Sequence, residues 1–102
     1  MNTIWMPTRF VSEKDEFTIK DYIIGGNEIT DVKCFLYLGS TDKTSSTMLL
    51  STLSFSGHSY ETNMISNLKG GNIYVLACRV YIDGFIKTRK CEIRVQKDGD
   101  LY

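Results

Sequence analysis

The chain has 102 residues, which is enough for one domain and too few for two. At this length folding buries roughly two-thirds of the surface that the unfolded chain exposes, so a core can form without metals or disulfides. Twelve basic residues balance twelve acidic ones, and this zero net charge argues against a protein built mainly to neutralise phosphates.

Charge is distributed unevenly along the chain. Residues 1–31 hold six acids and three bases, whereas residues 79–97 hold six bases and two acids. This polarity suits head-to-tail packing of identical subunits, but it is also what two ordinary solvated surfaces would show. We favour the second interpretation and keep the first open.

The three cysteines, Cys34, Cys78 and Cys91, show no Cys-x-x-Cys spacing, and the chain has one histidine. We therefore predict neither a zinc site nor a complete disulfide framework, and interpret the cysteines as small buried hydrophobic residues in a reducing compartment. Residues 1–7 lack the basic region and apolar run of a signal peptide. No apolar run approaches the roughly 20 residues of a membrane span. We expect a soluble protein that is made in the cytoplasm.

The first seven residues carry three large apolar side chains, Ile4, Trp5 and Met6, at an end that would normally fray. Either they dock on their own domain, which we slightly favour, or they reach a neighbour as an arm. Both possibilities make this segment a candidate contact site.

Apolar residues then recur with period two, which predicts short strands and no helix longer than about two turns. In the strand Ile29–Leu38, apolar residues alternate with Lys33, Phe35 and Tyr37, so that its outer face is unusually aromatic. Residues 39–46 read as a polar loop. The other strands predicted in this half of the chain are Thr8–Val11, Phe17–Ile19, Thr47–Phe55 and Tyr60–Ile65.

Residues 72–96 contain the strongest local signal, two strand-like runs that flank Asp83-Gly84. A two-residue type I′ turn suits this dipeptide because both central positions take a positive φ. The turn fixes the register, which pairs Ile82 with Phe85 and continues along both strands. The predicted core face is Tyr74, Leu76, Cys78, Val80, Ile82, Cys91, Ile93 and Val95. The predicted solvated face is Arg79, Tyr81, Thr88, Lys90, Glu92, Arg94 and Gln96.

About seven short strands with turn signals every 8 to 12 residues predict an all-β fold, an immunoglobulin-like Greek-key β-sandwich. Tyr74 stands where such sandwiches place a tyrosine that bonds back to the preceding corner. A small closed barrel is the less favoured alternative. We assign residues 1–7 to an N-terminal arm, residues 8–97 to the sandwich and residues 98–102 to a polar C-terminal tail with an apolar end.

Catalytic chemistry has little support. His58 could be grouped on paper with Ser56 or Ser59 and with Glu61. Nucleophile, base and orienting group must converge from a rigid scaffold, however, and neighbours in a loop rarely do so. The paired glycines do not form phosphate loops, and the acidic residues lack calcium-loop spacing. We predict no enzyme activity, no metal site and no cofactor.

Two kinds of binding remain open. Phe35, Tyr37 and Tyr81 beside a basic strand could stack on bases or sugar rings, although the zero net charge counts against nucleic acid. Exposed aromatics and arginine are also typical of protein interfaces, which we favour. The predicted protein-binding residues are Ile4, Trp5, Met6, Arg79, Tyr81, Lys90 and Arg94.

The C-terminal half also resembles a known family. The run Leu68-Lys69-Gly70-Gly71-Asn72-Ile73-Tyr74 is followed by Val80, by Asp83-Gly84, by Arg89 and by a closing Ile93-x-Val95 strand. Upstream, Asp21-Tyr22 precedes Gly26, Glu28 and Ile29. Together these residues resemble the fibre–tail adaptor proteins of tailed bacteriophages, which are small virion proteins with an immunoglobulin-like sandwich. The matching residues span positions 21–95.

The resemblance implies a non-enzymatic virion part, present in many copies around a symmetric connector or tail. The expected function is that of a head–tail or tail–fibre adaptor, made in the host bacterial cytoplasm and located in the tail region of the virion. Its expected partners are other virion proteins of the tail, connector or fibre, with a homo-oligomeric ring and no membrane. A small nucleic-acid- or glycan-binding β module is the alternative.

Overall fold

The computed structural model describes residues 3–49 and 52–97, which fold into three β-sheets of six, three and two strands and one short helix. The predicted tail, residues 98–102, and the first two residues of the predicted arm lie outside this description. The strands are β1 (Thr3–Trp5), β2 (Arg9–Ser12), β3 (Lys20–Tyr22), β4 (Ile29–Leu38), β5 (Thr41–Asp42), β6 (Met48–Leu49), β7 (Ser54–Ser56), β8 (Ser59–Glu61), β9 (Met64–Ile65), β10 (Ile73–Ile82) and β11 (Phe85–Gln96). The helix α1 spans Thr44–Thr47.

The two larger sheets take their strands in turn along the chain. The first sheet has the order β1-β11-β10-β4-β5, and β2 continues the β1 edge on β11. The second has the order β3-β8-β7, and β6 and β9 form a separate two-stranded sheet. The chain passes from the first sheet to the second and back, with β1 and β2 parallel to β11. This is an all-β, immunoglobulin-like Greek-key sandwich, and the predicted fold class is confirmed.

The predicted hairpin forms the centre of the first sheet. Asp83 and Gly84 have φ of 54° and 76°, which is the left-handed region that a type I′ turn requires at both positions. Ile82 pairs with Phe85, and the predicted register continues as far as Tyr74 opposite Ile93. All eight residues of the predicted core face are buried. Each large aliphatic side chain buried in this way stabilises the fold by about 1.5–3 kcal/mol.

The strand β4 has the predicted bounds and pairs with β10 along nearly its whole length. Its inward residues Val32, Cys34 and Leu36 are buried against residues from the second sheet. Its outward residues Phe35 and Tyr37 are half-buried. The alternation read from the sequence therefore describes both faces of this strand.

The prediction of one continuous strand over Thr47–Phe55 is wrong, because Thr47 is helical and the described strands there are two short ones. The helix α1 takes Thr44–Thr47, and β6 and β7 are separate short pieces. Side chains of the region bond to local backbone instead of supporting a strand: the Thr47 hydroxyl donates to the Lys43 carbonyl at 2.7 Å, and Asp42 accepts from the Thr44 N–H at 2.8 Å. Hydrogen bonds from Thr44 also lower the pKa of Asp42.

Two further strand predictions are wrong in their extent. The strand predicted at Phe17–Ile19 begins only at Lys20, and Phe17 makes an isolated bridge to Ile65. The strand predicted at Tyr60–Ile65 is interrupted between β8 and β9. At the interruption, the buried Thr62 hydroxyl oxygen accepts a hydrogen bond from the Ile19 N–H at 2.9 Å and so joins two chain segments.

The corner before β10 places Tyr74 as predicted. The Lys69 N–H donates a hydrogen bond to the Tyr74 hydroxyl oxygen at 3.0 Å, so that the buried tyrosine closes its own corner. The same corner needs glycine at position 70, because a Cβ there would lie 2.5 Å from the Cα of Lys97. The Gly70 N–H donates to Glu13 Oε2 at 3.1 Å.

The three cysteines are buried free thiols, as predicted. Cys34 and Cys78 are directly opposite in the β4–β10 register, with their Sγ atoms 3.5 Å apart. The hydrogen bond with Cys34 and burial raise the pKa of the Cys78 thiol, and burial raises that of Cys91. No helix within the described ranges has the length and apolar character needed to cross a membrane.

Candidate functional site

The N-terminal segment forms the edge strand of its own sheet. β1 runs parallel to β11, and the Met6 N–H donates to the Lys90 carbonyl at 2.7 Å. Met6 packs against the core, whereas Ile4 and Trp5 remain 50% and 55% exposed. The segment is thus paired within the domain and still presents two large apolar side chains to solvent.

Strand register brings Trp5 onto the same sheet face as the hairpin residues. Trp5 lies opposite Lys90, Lys90 lies opposite Ala77, and Ala77 lies opposite Phe35. The neighbouring positions on this side of β4 and β10 belong to the same surface, because alternate residues of a strand share a face. The surface, called the outer face below, consists of Trp5, Lys33, Phe35, Tyr37, Arg79, Tyr81 and Lys90.

Three cations of the outer face lie over three aromatic rings. The pairs are Arg79 on Phe35 at 5.3 Å, Lys33 on Tyr81 at 5.7 Å and Lys90 on Trp5 at 5.8 Å, measured from the charged group to the ring centroid. Such contacts contribute about 0.5–1 kcal/mol each at exposed sites. Within residues 3–49 and 52–97, none of the three cations forms an ion pair with a carboxylate. The three cations therefore have no directly bonded carboxylate there, although Asp31 and Glu92 stand on the same side of the sheet.

The structure separates the predicted binding residues into several places. Trp5, Arg79, Tyr81 and Lys90 meet on the outer face. Arg94 lies further along β11, where its Nε donates to Glu92 Oε1 at 2.8 Å, so that its charge is paired. Lys33 completes the outer face and was not among the predicted site residues, although its alternation with Phe35 in β4 was the available signal.

A groove opens beside β1, on the side of the strand that Ile4 occupies. It has a volume of about 490 Å³ and is called the edge groove below. The sequence analysis did not predict this groove. The available signal was the adjacent pair Ile23-Ile24, because an alternating strand can bury only one of two neighbouring residues. Ile24 is the exposed one, at 81%. Its lining residues are Ile4, Tyr22, Ile24, Phe85, Ile86, Lys87, Thr88 and Arg89.

A polar cluster lies at the inner side of the edge groove. Arg89 projects from the core side of β11, and its Nε lies 3.7 Å from Asp21 Oδ2. The Tyr60 hydroxyl donates to the same carboxylate oxygen at 2.8 Å, and burial raises the pKa of this tyrosine. The Arg89 Nε is buried and has no hydrogen-bond partner in the described part of the chain.

His58 does not take part in the serine–histidine–acid grouping that the sequence suggested on paper. Its Nε2 lies 2.9 Å from the Gly26 carbonyl oxygen, and the Ser59 hydroxyl donates to the Ser56 carbonyl. The Glu61 carboxylate accepts from Thr18 instead. Across residues 3–49 and 52–97, no three His, Cys, Asp or Glu side chains are grouped so as to hold a metal ion.

Comparison with known proteins yields a likeness of fold. No protein-family model matches the chain, and no curated protein matches it. Among solved structures, the chain is similar to one described as the M1 domain from titin, with a TM-score of 0.56 and 10% sequence identity over 89% of each chain. At this low identity the likeness concerns architecture alone. It agrees with the sheet order and register in assigning an immunoglobulin-like sandwich.

Proposed function

We propose that this chain is a non-enzymatic structural protein of a tailed-bacteriophage virion, a head–tail or tail–fibre adaptor that docks on another virion protein through its outer face. The observation that carries the proposal is the group of three cations that stack on aromatic rings without a carboxylate partner in the described residues. Aromatic residues and arginine are enriched in protein interfaces, where they act as anchors.

The charge of the outer face defines the kind of partner. The sheet holds the three cations Lys33, Arg79 and Lys90 over aromatic rings, and its strands are paired with each other. Binding would therefore cost little further side-chain entropy. A partner surface with carboxylates in matching positions would complete the ion pairs that the outer face lacks. The proposed partner is therefore an acidic surface on a tail, connector or fibre protein.

The virion setting rests on the resemblance of residues 21–95 to fibre–tail adaptor proteins. It implies many copies around a symmetric connector, production in the host bacterial cytoplasm and no membrane partner. The unequal charge of the two ends of the chain and the half-exposed β1 are compatible with this setting.

Cross-linking in purified particles tests the proposal. Particles of the phage that encodes the chain would be treated with a lysine-reactive cross-linker and analysed by mass spectrometry. We expect cross-links from Lys33 and Lys90 to another virion protein. Lys20 and Lys69 are exposed on other surfaces and serve as matched controls. Absence of the chain from particles, or cross-links from the two control lysines alone, would contradict the proposal.

The alternative is a small nucleic-acid- or glycan-binding module that uses the same face. Its support is the set of ring systems Phe35, Tyr37 and Tyr81 beside basic residues. Against it, Arg79 and Lys33 already cover one face of two of these rings, where a base or sugar would stack. Titration with single-stranded DNA at low salt separates the two proposals, since nucleic-acid binding would weaken steeply as salt is added.

A further inference from the structure

We infer that the edge groove binds residues 98–102 of a second copy of this chain, so that copies associate head to tail. The inference adds a second copy as the partner of a surface that adjoins the outer face and shares no residue with it. It supplies self-association to the proposed virion role and does not depend on that role. Four properties of the groove and of the segment carry it.

The first property is apolar exposure. Ten large hydrophobic residues of the described chain are exposed, and five of them line the edge groove. Contiguous exposed apolar surface of this kind marks an interaction site more often than scattered single residues do. The five are Ile4 (50%), Tyr22 (60%), Ile24 (81%), Phe85 (72%) and Ile86 (42%).

The second property is an open strand edge beside this apolar surface. Among the described residues, β3 pairs only with β8, so its other edge has no strand partner. Tyr22 belongs to β3 and lines the groove. An extended segment can add to such an edge through main-chain hydrogen bonds while its side chains fill the neighbouring groove. The geometry thus favours a short extended peptide as the occupant.

The third property is charge. Lys87 and Arg89 line the groove. Arg89 is ion-paired with Asp21, and its Nε lacks a hydrogen-bond partner in the described part of the chain, whereas Lys87 forms no ion pair with a carboxylate there. A suitable occupant combines carboxylates with apolar side chains. The segment Asp98-Gly99-Asp100-Leu101-Tyr102 has two carboxylates and two apolar side chains within five residues.

The fourth property is reach, and it decides that the occupant comes from another copy. The segment follows Lys97, at the opposite end of β11 from the groove. Arg89 is the groove residue nearest to Lys97 along this strand, eight residues away, which is roughly 26 Å at about 3.3 Å per residue. Five residues span at most about 18 Å when fully extended. The segment therefore cannot lie in the groove of its own domain.

A contact between two different surfaces of identical subunits is a heterologous one. Repetition of such a contact produces a ring when the rotation closes and a filament when it does not. Each subunit would then use its own groove for one neighbour and its own segment for the other.

Sedimentation equilibrium of the full-length chain over a concentration series tests the inference. We expect the average mass to rise above that of the monomer with concentration. Substitution of the groove (Ile24→Ser with Phe85→Ser) or of the segment (Leu101→Ser with Tyr102→Ser) should weaken association at least about tenfold, which corresponds to about 1.4 kcal/mol. Phe10→Ser is the matched control, because Phe10 is 76% exposed on β2 and does not line the groove.

A charge exchange provides the second arm. Lys87→Glu and Asp100→Lys should each weaken association when tested alone. A double variant that carries both substitutions should recover it, because every groove and every segment then carry the exchanged charges. A monomer throughout a series that reaches millimolar concentration would overturn the inference. So would an oligomer whose mass is unchanged by the segment substitutions. Neither result bears on cross-links from the outer face, so this inference and the proposed function can fail separately.

Discussion

The hydroxyl oxygen of Tyr74 accepts a hydrogen bond from the backbone N–H of Lys69 at 3.0 Å, five residues earlier in the chain. The tyrosine is 2% exposed, and the bond joins the start of β10 to the corner that leads into it. Because Gly70 and Gly71 in this corner bond to Glu13 and to Val95, one buried hydroxyl helps to fix a junction of three chain segments.

Removal of this hydroxyl should lower stability without changing the fold. We expect Tyr74→Phe to lower the free energy of unfolding by about 1–3 kcal/mol, because the Lys69 N–H loses its partner in a partly buried place. Urea unfolding measures the change as a lower midpoint at an unchanged m value. Tyr81→Phe is the control, since this tyrosine keeps its ring contact with Lys33 on the outer face. Equal midpoints for Tyr74→Phe and the parent would contradict the prediction.

Substitution of one partner in the ion pair at the inner side of the edge groove should lower the free energy of unfolding. The Asp21 and Arg89 side chains are 16% and 12% exposed, so Asp21→Asn leaves a largely buried guanidinium without its counter-charge. We expect a loss of about 3 kcal/mol in the free energy of unfolding.

A double-mutant cycle with Arg89→Met checks the cause. The double variant should be more stable than Asp21→Asn alone, because the uncompensated charge has been removed together with its partner. Additive effects of the two substitutions would show that the two side chains do not interact.

Stability should fall in alkaline solution. The pKa values of Cys78, Cys91 and Tyr60 are raised in the folded chain, for Cys78 by its hydrogen bond with Cys34 and by burial, and for the other two chiefly by burial. Above the ordinary pKa of 9.0 for the thiols and 10.0 for the tyrosine, the unfolded chain loses these protons while the folded chain keeps them. The unfolded state then binds fewer protons, so the free energy of unfolding decreases as pH rises.

Each such group contributes a slope of up to about 1.4 kcal/mol per pH unit. Thermal unfolding between neutral pH and pH 10 under reducing conditions measures the effect. Cys78→Ala should reduce the slope, since it removes one of the raised groups. A melting temperature that is constant over this range would contradict the prediction.

The exposed and paired parts of the N-terminal segment should behave differently. Trp5→Ala removes a side chain that is 55% exposed and a contact with Lys90, so we expect a loss of about 1 kcal/mol or less. Deletion of residues 1–6 removes β1 and the Met6 contacts and uncovers the edge of β11, so the loss should be larger.

Circular dichroism during thermal unfolding compares both variants with the parent chain. If Trp5 acts as an anchor of the outer face, Trp5→Ala should also weaken binding to the proposed partner while the domain stays folded. Unfolding of the domain by Trp5→Ala alone would show that this residue belongs to the core.

The sequence by itself determined the parts of this protein that depend on short-range geometry. The Asp83-Gly84 turn has two residues with positive φ, which sets the register of β10 and β11, and period-two alternation then assigns each of their residues to a face. The bounds and faces of β4 followed in the same way. These features are local, because a turn type and an alternation involve residues close together in the chain.

Only the tertiary structure decided what depends on contacts between distant segments. The parallel pairing of β1 with β11 places Trp5 over Lys90, and the β4–β10 register places Arg79 over Phe35. The end of the helix at Thr47 is accompanied by a hydroxyl bond to local backbone that alternation does not reveal, and two short strands, β6 and β7, follow it. The exposure of Ile24 follows from the burial of its neighbour Ile23 in the core. A pattern states which residues can share a face, whereas the packing of the two sheets decides which faces meet and which remain open to a partner.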